Sequence, residues 1–325
     1  MPTVGIIANP ASGRDVRRLV ANAARSSIPD KITIVRRAAI GAVEGGATKL
    51  VVLPDPHGLC KRALSTVHLD VEVEELHVER THDERETIAA ARQLREMIAG
   101  AVITLGGDGT NRAVAKGWAD APLVPLSTGT NNVFPLHIEP TVAGAAAGLV
   151  ASGRLALEDA AQRAKLVHVD IDGGEPDFAL VDAVFTADTF VGDRTPFAPE
   201  RLRAAIVAIA DPAAVGISPI AGLLEPCSRE DGAAVAIRFG GEGRLVRAPI
   251  SPGLYADVPI LECRRVELGE TVELLGPGIL AFDGDRRRTV ADGVAVRVRV
   301  ERDGPWVFDV RRAMAAAASD GAFRG

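Results

Sequence analysis

The segment Gly106-Gly107-Asp108-Gly109-Thr110 directly follows an apolar run, Ala101-Val102-Ile103-Thr104-Leu105, and precedes a helical pattern. A strand that feeds a glycine turn and then a helix narrows the fold more than any other stretch of the chain, because such units build parallel sheets. The glycines can take positive φ and let backbone N–H groups come close to a phosphate. The helix N-terminus behind them adds partial positive charge. Thr110 suits the N-cap, with the helix expected over Asn111–Gly117. An aspartate in such a turn runs against the charge of a phosphate. Asp108 makes sense if it orients a hydroxyl, accepts its proton, or holds a magnesium ion between phosphates. The plainer alternative is a tight turn whose aspartate only caps the helix, but a cap alone does not need three glycines.

The same alternation repeats through the first ~135 residues. Val4-Gly5-Ile6-Ile7-Ala8 reads as a buried strand, and residues 14–27 as a helix with Val16, Leu19, Val20 and Ala23 on one face. Leu50-Val51-Val52-Leu53 is a second strand, with a helix beginning near Gly58 and a third strand within residues 69–78. The next helix carries Asp83, Glu84 and Glu86 in its first turn, where negative charge suits the macrodipole, and an apolar face of Ile88, Ala91, Leu94 and Ile98. Leu123-Val124-Pro125-Leu126 follows the glycine-loop helix as a further strand. Residues 31–48 fit both the strand and the helix period. The expectation is a doubly wound parallel sheet over residues 1–140, binding its ligand at the carboxyl ends of the strands.

Beyond an Ala/Gly-rich helical stretch at 141–152, strand alternation dominates residues 166–186, 233–248, 260–275, 278–283 and 289–300. This describes an antiparallel β-rich domain over 141–308, interrupted by a helix at roughly 199–210. A last helix, 309–325, is expected to pack back on the first domain.

Two more loops join the glycine turn. Asn9-Pro10-Ala11-Ser12-Gly13 ends the first strand, and Ser127-Thr128-Gly129-Thr130-Asn131-Asn132 follows Leu126. Both are rich in hydrogen-bonding side chains. In a doubly wound sheet all three loops share one edge. Composition excludes other classes. A net charge of −6 without a basic block argues against nucleic acid. No apolar stretch reaches the ~18 residues of a membrane span. The 3 scattered cysteines fit a reducing compartment, so a cytoplasmic protein is expected.

At these loops the sequence resembles the superfamily that joins NAD kinases to diacylglycerol- and sphingosine-type lipid kinases, above all the ATP-NAD kinase branch that includes the acetoin-catabolism X-type proteins. The resemblance implies a site between an α/β and a β-rich domain. It implies a phosphoryl donor, ATP or polyphosphate, a magnesium or other divalent ion, and NAD as acceptor at its adenosine ribose 2′-OH, in NADP biosynthesis. By resemblance Asp108 is catalytic. Asn9, Ser12, Gly13, Gly106, Gly107, Gly109, Thr110, Asn111, Thr128, Gly129, Thr130, Asn131 and Asn132 hold nucleotide and phosphate, and the protein is a homo-oligomer. In the second domain Asp182 stands in for the acid of an Asn-Glu pair whose Asn is replaced by Val181. Gly216–Gly222, with Ser218, occupies the place of a Thr/Ser/Tyr-rich dinucleotide segment but lacks most of the hydroxyls and the tyrosine. Asp283 lies in an Asp-Gly-acid turn, which also reads as a plain hairpin turn, and Arg286-Arg287-Arg288 reads as a solvated charge run or, less favoured, as cations facing phosphates. These departures leave two alternatives open: a lipid or other small-alcohol kinase, and a non-catalytic nucleotide-binding regulator.

Overall fold

The computed structural model describes residues 1–10, 27–128, 132–187, 198–284 and 286–323. In its first half strands and helices alternate: β1 (Thr3–Ala8), α1 (Ile28–Glu44), β2 (Lys49–Val52), α2 (Leu59–Leu64), β3 (Glu72–Glu75), α3 (Glu84–Glu96), β4 (Ala101–Gly106), α4 (Asp108–Gly117) and β5 (Pro122–Ser127). The strands pair in parallel in the order β3-β2-β1-β4-β5. Every residue of β1, β4 and β5 is buried, as a parallel sheet covered on both faces requires. Helices α1 and α2 pack in the core on one face of the sheet, α3 and α4 on the other. The helix expected over 14–27 lies outside the described residues, apart from its last position.

The ambiguous stretch 31–48 is α1. Local end signals decide it: Ser27 and Asp30 form a reciprocal capping box and Pro29 sits in the first turn. The chain then turns out of the helix at Gly45. In α3 the expected apolar face is corrected at its end. Ile98 lies past the helix with φ 54 and is 84% exposed, while Ala90 takes a buried place beside Ala91 and Leu94.

Helix α5 (Pro140–Ala151) packs on α1. Its glycines have a packing cause, since a Cβ on Gly144 or Gly148 would collide with the carbonyl oxygens of Ala38 and Ala42. After α6 (Leu157–Ala160), strand β6 (Ala161–Arg163) joins the first sheet.

The β-rich part begins with β7 (Leu166–Ile171), β8 (Asp177–Ala179), β9 (Asp182–Thr186) and β10 (Leu202–Val207). It continues with α7 (Ser218–Gly222), β11 (Ala233–Ser251), β12 (Leu254–Glu267), β13 (Thr271–Leu275), β14 (Gly278–Phe282), β15 (Arg286–Val290) and β16 (Ala295–Glu301). A six-stranded antiparallel sheet, β12-β11-β10-β9-β14-β15, packs against a four-stranded one, β13-β16-β7-β8, through Phe185, Phe282, Val169 and Val298. The helix expected at 199–210 is overturned: apart from a 3-10 turn at Pro199–Arg201, its core is β10. Ala204 and Ile206 enter one core and Ala205 and Val207 another. That is period two, hidden from a sequence reading because both faces of this central strand are apolar.

Strand β17 (Trp306–Phe308) returns to the first sheet, parallel to β5 and antiparallel to β6. Helix α8 (Val310–Ser319) then packs Val310, Ala313 and Ala317 into the core that α1 and α5 share. Residues 140–163 and 306–308 thus join the α/β layer from beyond the boundary drawn at residue 140. Among the described residues no helix is long and apolar enough to cross a membrane.

Candidate active site

Strand order reverses between β1 and β4, which makes the crevice at their carboxyl ends the switch point where doubly wound sheets bind ligands. The ends of β1, β4 and β5 bring together Asn9, the glycine turn and the Ser127-Thr128 segment. Ser12, Gly13, Gly129, Thr130 and Asn131 lie outside the described residues.

The glycines act through space rather than through unusual φ. Gly106 ends β4, Gly107 has φ −100, and Gly109 lies in the first turn of α4. A Cβ on Gly106 would lie 2.5 Å from Thr110 Oγ1, and one on Gly107 would lie 2.8 Å from Asn132 Oδ1. The turn is therefore packed against its own helix and against the loop after β5.

The N-cap is Gly107, not Thr110. The Gly107 carbonyl accepts the Thr110 and Asn111 N–H groups at 3.1 and 3.2 Å, closing the first turn three residues earlier than expected. Thr110 Oγ1 instead accepts the Asn9 amide at 2.9 Å, tying the first loop to the second. Asn111, 0% exposed, braces the turn. Its Oδ1 accepts the Thr104 hydroxyl at 2.6 Å and its Nδ2 donates to the Gly107 carbonyl at 2.9 Å. Asn132 donates to Ser127 Oγ at 3.0 Å, and Thr128 is buried.

Asp108 is half-buried at the start of α4. Its Oδ1 accepts the N–H groups of Val133 and Phe134 at 3.2 and 3.0 Å, so the carboxylate fixes the loop after β5. Arg229 grips the same two residues from their carbonyl side, at 3.2 and 3.1 Å. The early N–H groups of a helix lack intrahelical acceptors. At α4 the Thr110 N–H is taken by the Gly107 carbonyl, and the earlier ones lie at the end of the helix that Asp108 begins.

The second-domain candidates face inward. Ser218 is 1% exposed, donates to the Ile209 carbonyl at 2.6 Å and accepts the Asp211 N–H at 2.9 Å. Asp283 accepts the N–H groups of Leu180, Val181 and Asp182 at 3.0, 2.8 and 3.4 Å. Burial pushes its carboxyl up, against the pull of Arg112 and these amides. Both side chains tie parts of the fold together through these bonds. Asp182 is buried at the start of β9, where its backbone pairs with Asp283.

The residues that join the two halves carry no local sequence signal. Arg112, 1% exposed, donates to the Phe178 carbonyl and to Asp177 Oδ1 at 2.6 Å, and its Nε lies 3.9 Å from Asp283. Lys116 and Arg288 also pair with Asp177, at 3.0 and 3.3 Å. Burial pushes the Asp177 carboxyl up, but Arg112, the Phe178 N–H and Lys116 outweigh it and hold it below the usual range. Arg288 is thereby corrected from a solvated charge to a partner of the interface. Lys31, buried in α1, donates to the carbonyls of Asn9 and Pro10 at 3.2 and 2.9 Å. Its partners lie 22 and 21 residues away in a different element, so spacing could not reveal it. Among the described residues no three metal-ligating side chains cluster.

Residues 4–154 match the family model of the ATP-NAD kinase N-terminal domain, and residues 165–303 that of the acetoin catabolism protein X C-terminal domain. The chain is 40% identical over 302 residues to acetoin catabolism protein X of Cupriavidus necator, covering 88% of this chain and 84% of that protein. Two solved structures from Bacillus anthracis, assigned as a diacylglycerol kinase, share 10% identity and cover 94% of this chain, with TM-scores of 0.47 and 0.44. They span 96% and 98% of those chains. The chain belongs to the acetoin catabolism protein X family of the NAD kinase-like superfamily, phosphotransferases that act on an alcohol acceptor.

Proposed function

We propose that the chain transfers the terminal phosphoryl group of ATP, or of polyphosphate, to the adenosine ribose 2′-OH of NAD, giving NADP. The observation that carries this reading is the position of Asp108, a half-buried carboxylate in the switch-point crevice at the N-terminus of α4. An acidic group there repels a phosphate and suits a hydroxyl. Its amide bonds to Val133 and Phe134 fix its direction, and a carboxylate is the group suited to accept the O–H of an alcohol. Asp108 orients that hydroxyl and takes its proton. The first-turn N–H groups of α4, Asn9 and the loop after β5 hold the phosphates, with Ser12, Gly13 and Gly129–Asn131 assigned by sequence. Catalysis is then chiefly positioning and electrostatics.

Magnesium characteristically binds through one or two carboxylates plus substrate phosphates. Asp108 fits that donor set, and the bound ion would supply neutralisation of phosphate charge. The nucleotide ligands and a homo-oligomeric state remain part of the proposal.

One observation favours a second acceptor class. Ser218 and Asp283, where dinucleotide contacts were expected, make their bonds inside the fold. A small alcohol needs fewer contacts than a dinucleotide, and the Cupriavidus relative takes its name from acetoin catabolism. Labelled ATP offered with NAD, acetoin and diacylglycerol side by side separates these readings. Label in NADP is the expected result. Label confined to the organic phase or to the small alcohol removes the NAD assignment, and saturable nucleotide binding without turnover identifies a regulator.

A further inference from the structure

A groove of about 850 Å³ opens between the segment that leads into α5, the residues of β6 and just beyond, and the β17–α8 corner. Its size falls within the range of small-molecule sites. Leu136, Ile138 and Val142 line it from one side of the chain and Val310 and Met314 from α8. Leu136 and Val142 stay 37% and 39% exposed, which for apolar groups in a concave surface is an unfilled contact.

Five cations line the same groove: Arg163, Lys165, Arg229, Arg311 and Arg312. Four of them are fixed by main-chain carbonyls. Arg163 donates to Asp303 and Gly304, Lys165 to Ser228 and Ala233 at 2.8 and 2.7 Å, Arg229 to Val133 and Phe134, and Arg312 to Glu158, Asp159 and Ala161. A carbonyl holds a cation in place without cancelling its charge. Burial pushes the Lys165 ammonium below its ordinary range, as expected of a cation with little compensating charge. Three carboxylates share the lining against the five cations: Glu139 accepts the Val142 N–H and pairs with Arg37 at 3.7 Å, Asp309 accepts the Arg312 N–H as a helix cap, and Glu230 lies beside Arg229. Arg311 is exposed and makes no hydrogen bond or ion pair among the described residues.

The walls are built rather than incidental. Arg302 donates to the carbonyls of Arg163 and Arg229 at 3.1 and 3.0 Å and to those of Glu230 and Asp231 at 3.0 and 2.7 Å, locking two lining segments together.

We propose that this groove binds a free, small amphipathic anion, its apolar body on Leu136, Ile138, Val142 and Met314 and its anionic group at Arg311. Charge complementarity selects the anion, and the exposed apolar side chains select the body. The site adjoins the glycine-loop crevice through Phe134, whose N–H Asp108 accepts, but Leu136, Ile138, Val142, Met314 and Arg311 have no part in the proposed phosphoryl transfer, so its test needs neither donor nor acceptor.

The test is calorimetric titration of the full chain with dodecanoate below its micellar concentration, with dodecanol, acetate and anionic phospholipid vesicles as separate arms. Saturable binding of one dodecanoate per chain is expected, weakened about tenfold or more in Arg311→Glu and in Val142→Asp, with each variant's fold checked by circular dichroism. Dodecanol binding as tightly as dodecanoate overturns the anion requirement, and acetate binding as tightly overturns the apolar one. Binding to vesicles alone overturns the free-ligand assignment. Unchanged affinity in a folded Arg311→Glu places the ligand elsewhere and overturns the proposal.

Discussion

Asp108 and Asp283 are written alike. Each closes the end of a strand, each is followed by glycine, and each uses its carboxylate to gather backbone N–H groups from a distant segment. Their surroundings differ. Asp108 gathers the loop after β5 at the open edge of a parallel sheet, half-buried, beside a helix N-terminus. Asp283 gathers Leu180–Asp182 in a fully enclosed position, with Arg112 at 3.9 Å. The glycines differ in cause as well. Gly284 takes φ 80 after Asp283 at φ 48, a turn that needs left-handed backbone, whereas Gly107 at φ −100 is needed for room. One aspartate is half-buried at a strand-end edge and the other is enclosed by the fold. The same helix links them, since Arg112 lies one turn after Asp108.

The largest expected effect tests the open member of the pair. Asp108→Asn should lower kcat by about 10²–10⁴-fold, the usual loss with a general base, with the folded state retained by circular dichroism. Unchanged turnover would take Asp108 out of the chemistry and make the two aspartates equivalent. Asp283→Ala should do the opposite: a stability loss of about 3–5 kcal/mol in chemical denaturation, because the buried N–H groups of Leu180, Val181 and Asp182 lose their acceptor and Arg112 loses its second carboxylate. A shift in acceptor KM at full stability would contradict the enclosed role.

Gly107→Ala sharpens the difference between the glycines. Its φ suits alanine, but the methyl displaces Asn132, so kcat/KM should fall by up to about 10²-fold through misplaced groups, with little change in Tm. Ser218→Ala is the smallest. It should cost about 1–3 kcal/mol, the penalty for leaving a buried partner unsatisfied, with acceptor KM unchanged in steady-state assays. A raised KM would return Ser218 to the substrate side.

The alternation of strands and helices was legible because each unit signals itself: buried β-branched runs, a capping aspartate at Asp83, and glycine turns within a few residues. The three loops could be placed on one edge for the same reason, since parallel βαβ connection leaves no other arrangement for consecutive strand ends. Strand β10 was not legible, because a central strand with two apolar faces loses its period-two pattern.

Sequence by itself determined the α/β and β-rich halves, the glycine turn at a strand end and the family resemblance, all carried by neighbours along the chain. Tertiary structure alone decided which polar groups remain at the surface of the site. Arg112 meets Asp177 65 residues away, Asp283 meets Val181 102 residues away, and Asn9 meets Thr110 101 residues away. A carboxylate buried without such partners would be too costly to keep charged. Its availability for chemistry is therefore set by which distant groups the fold brings to it.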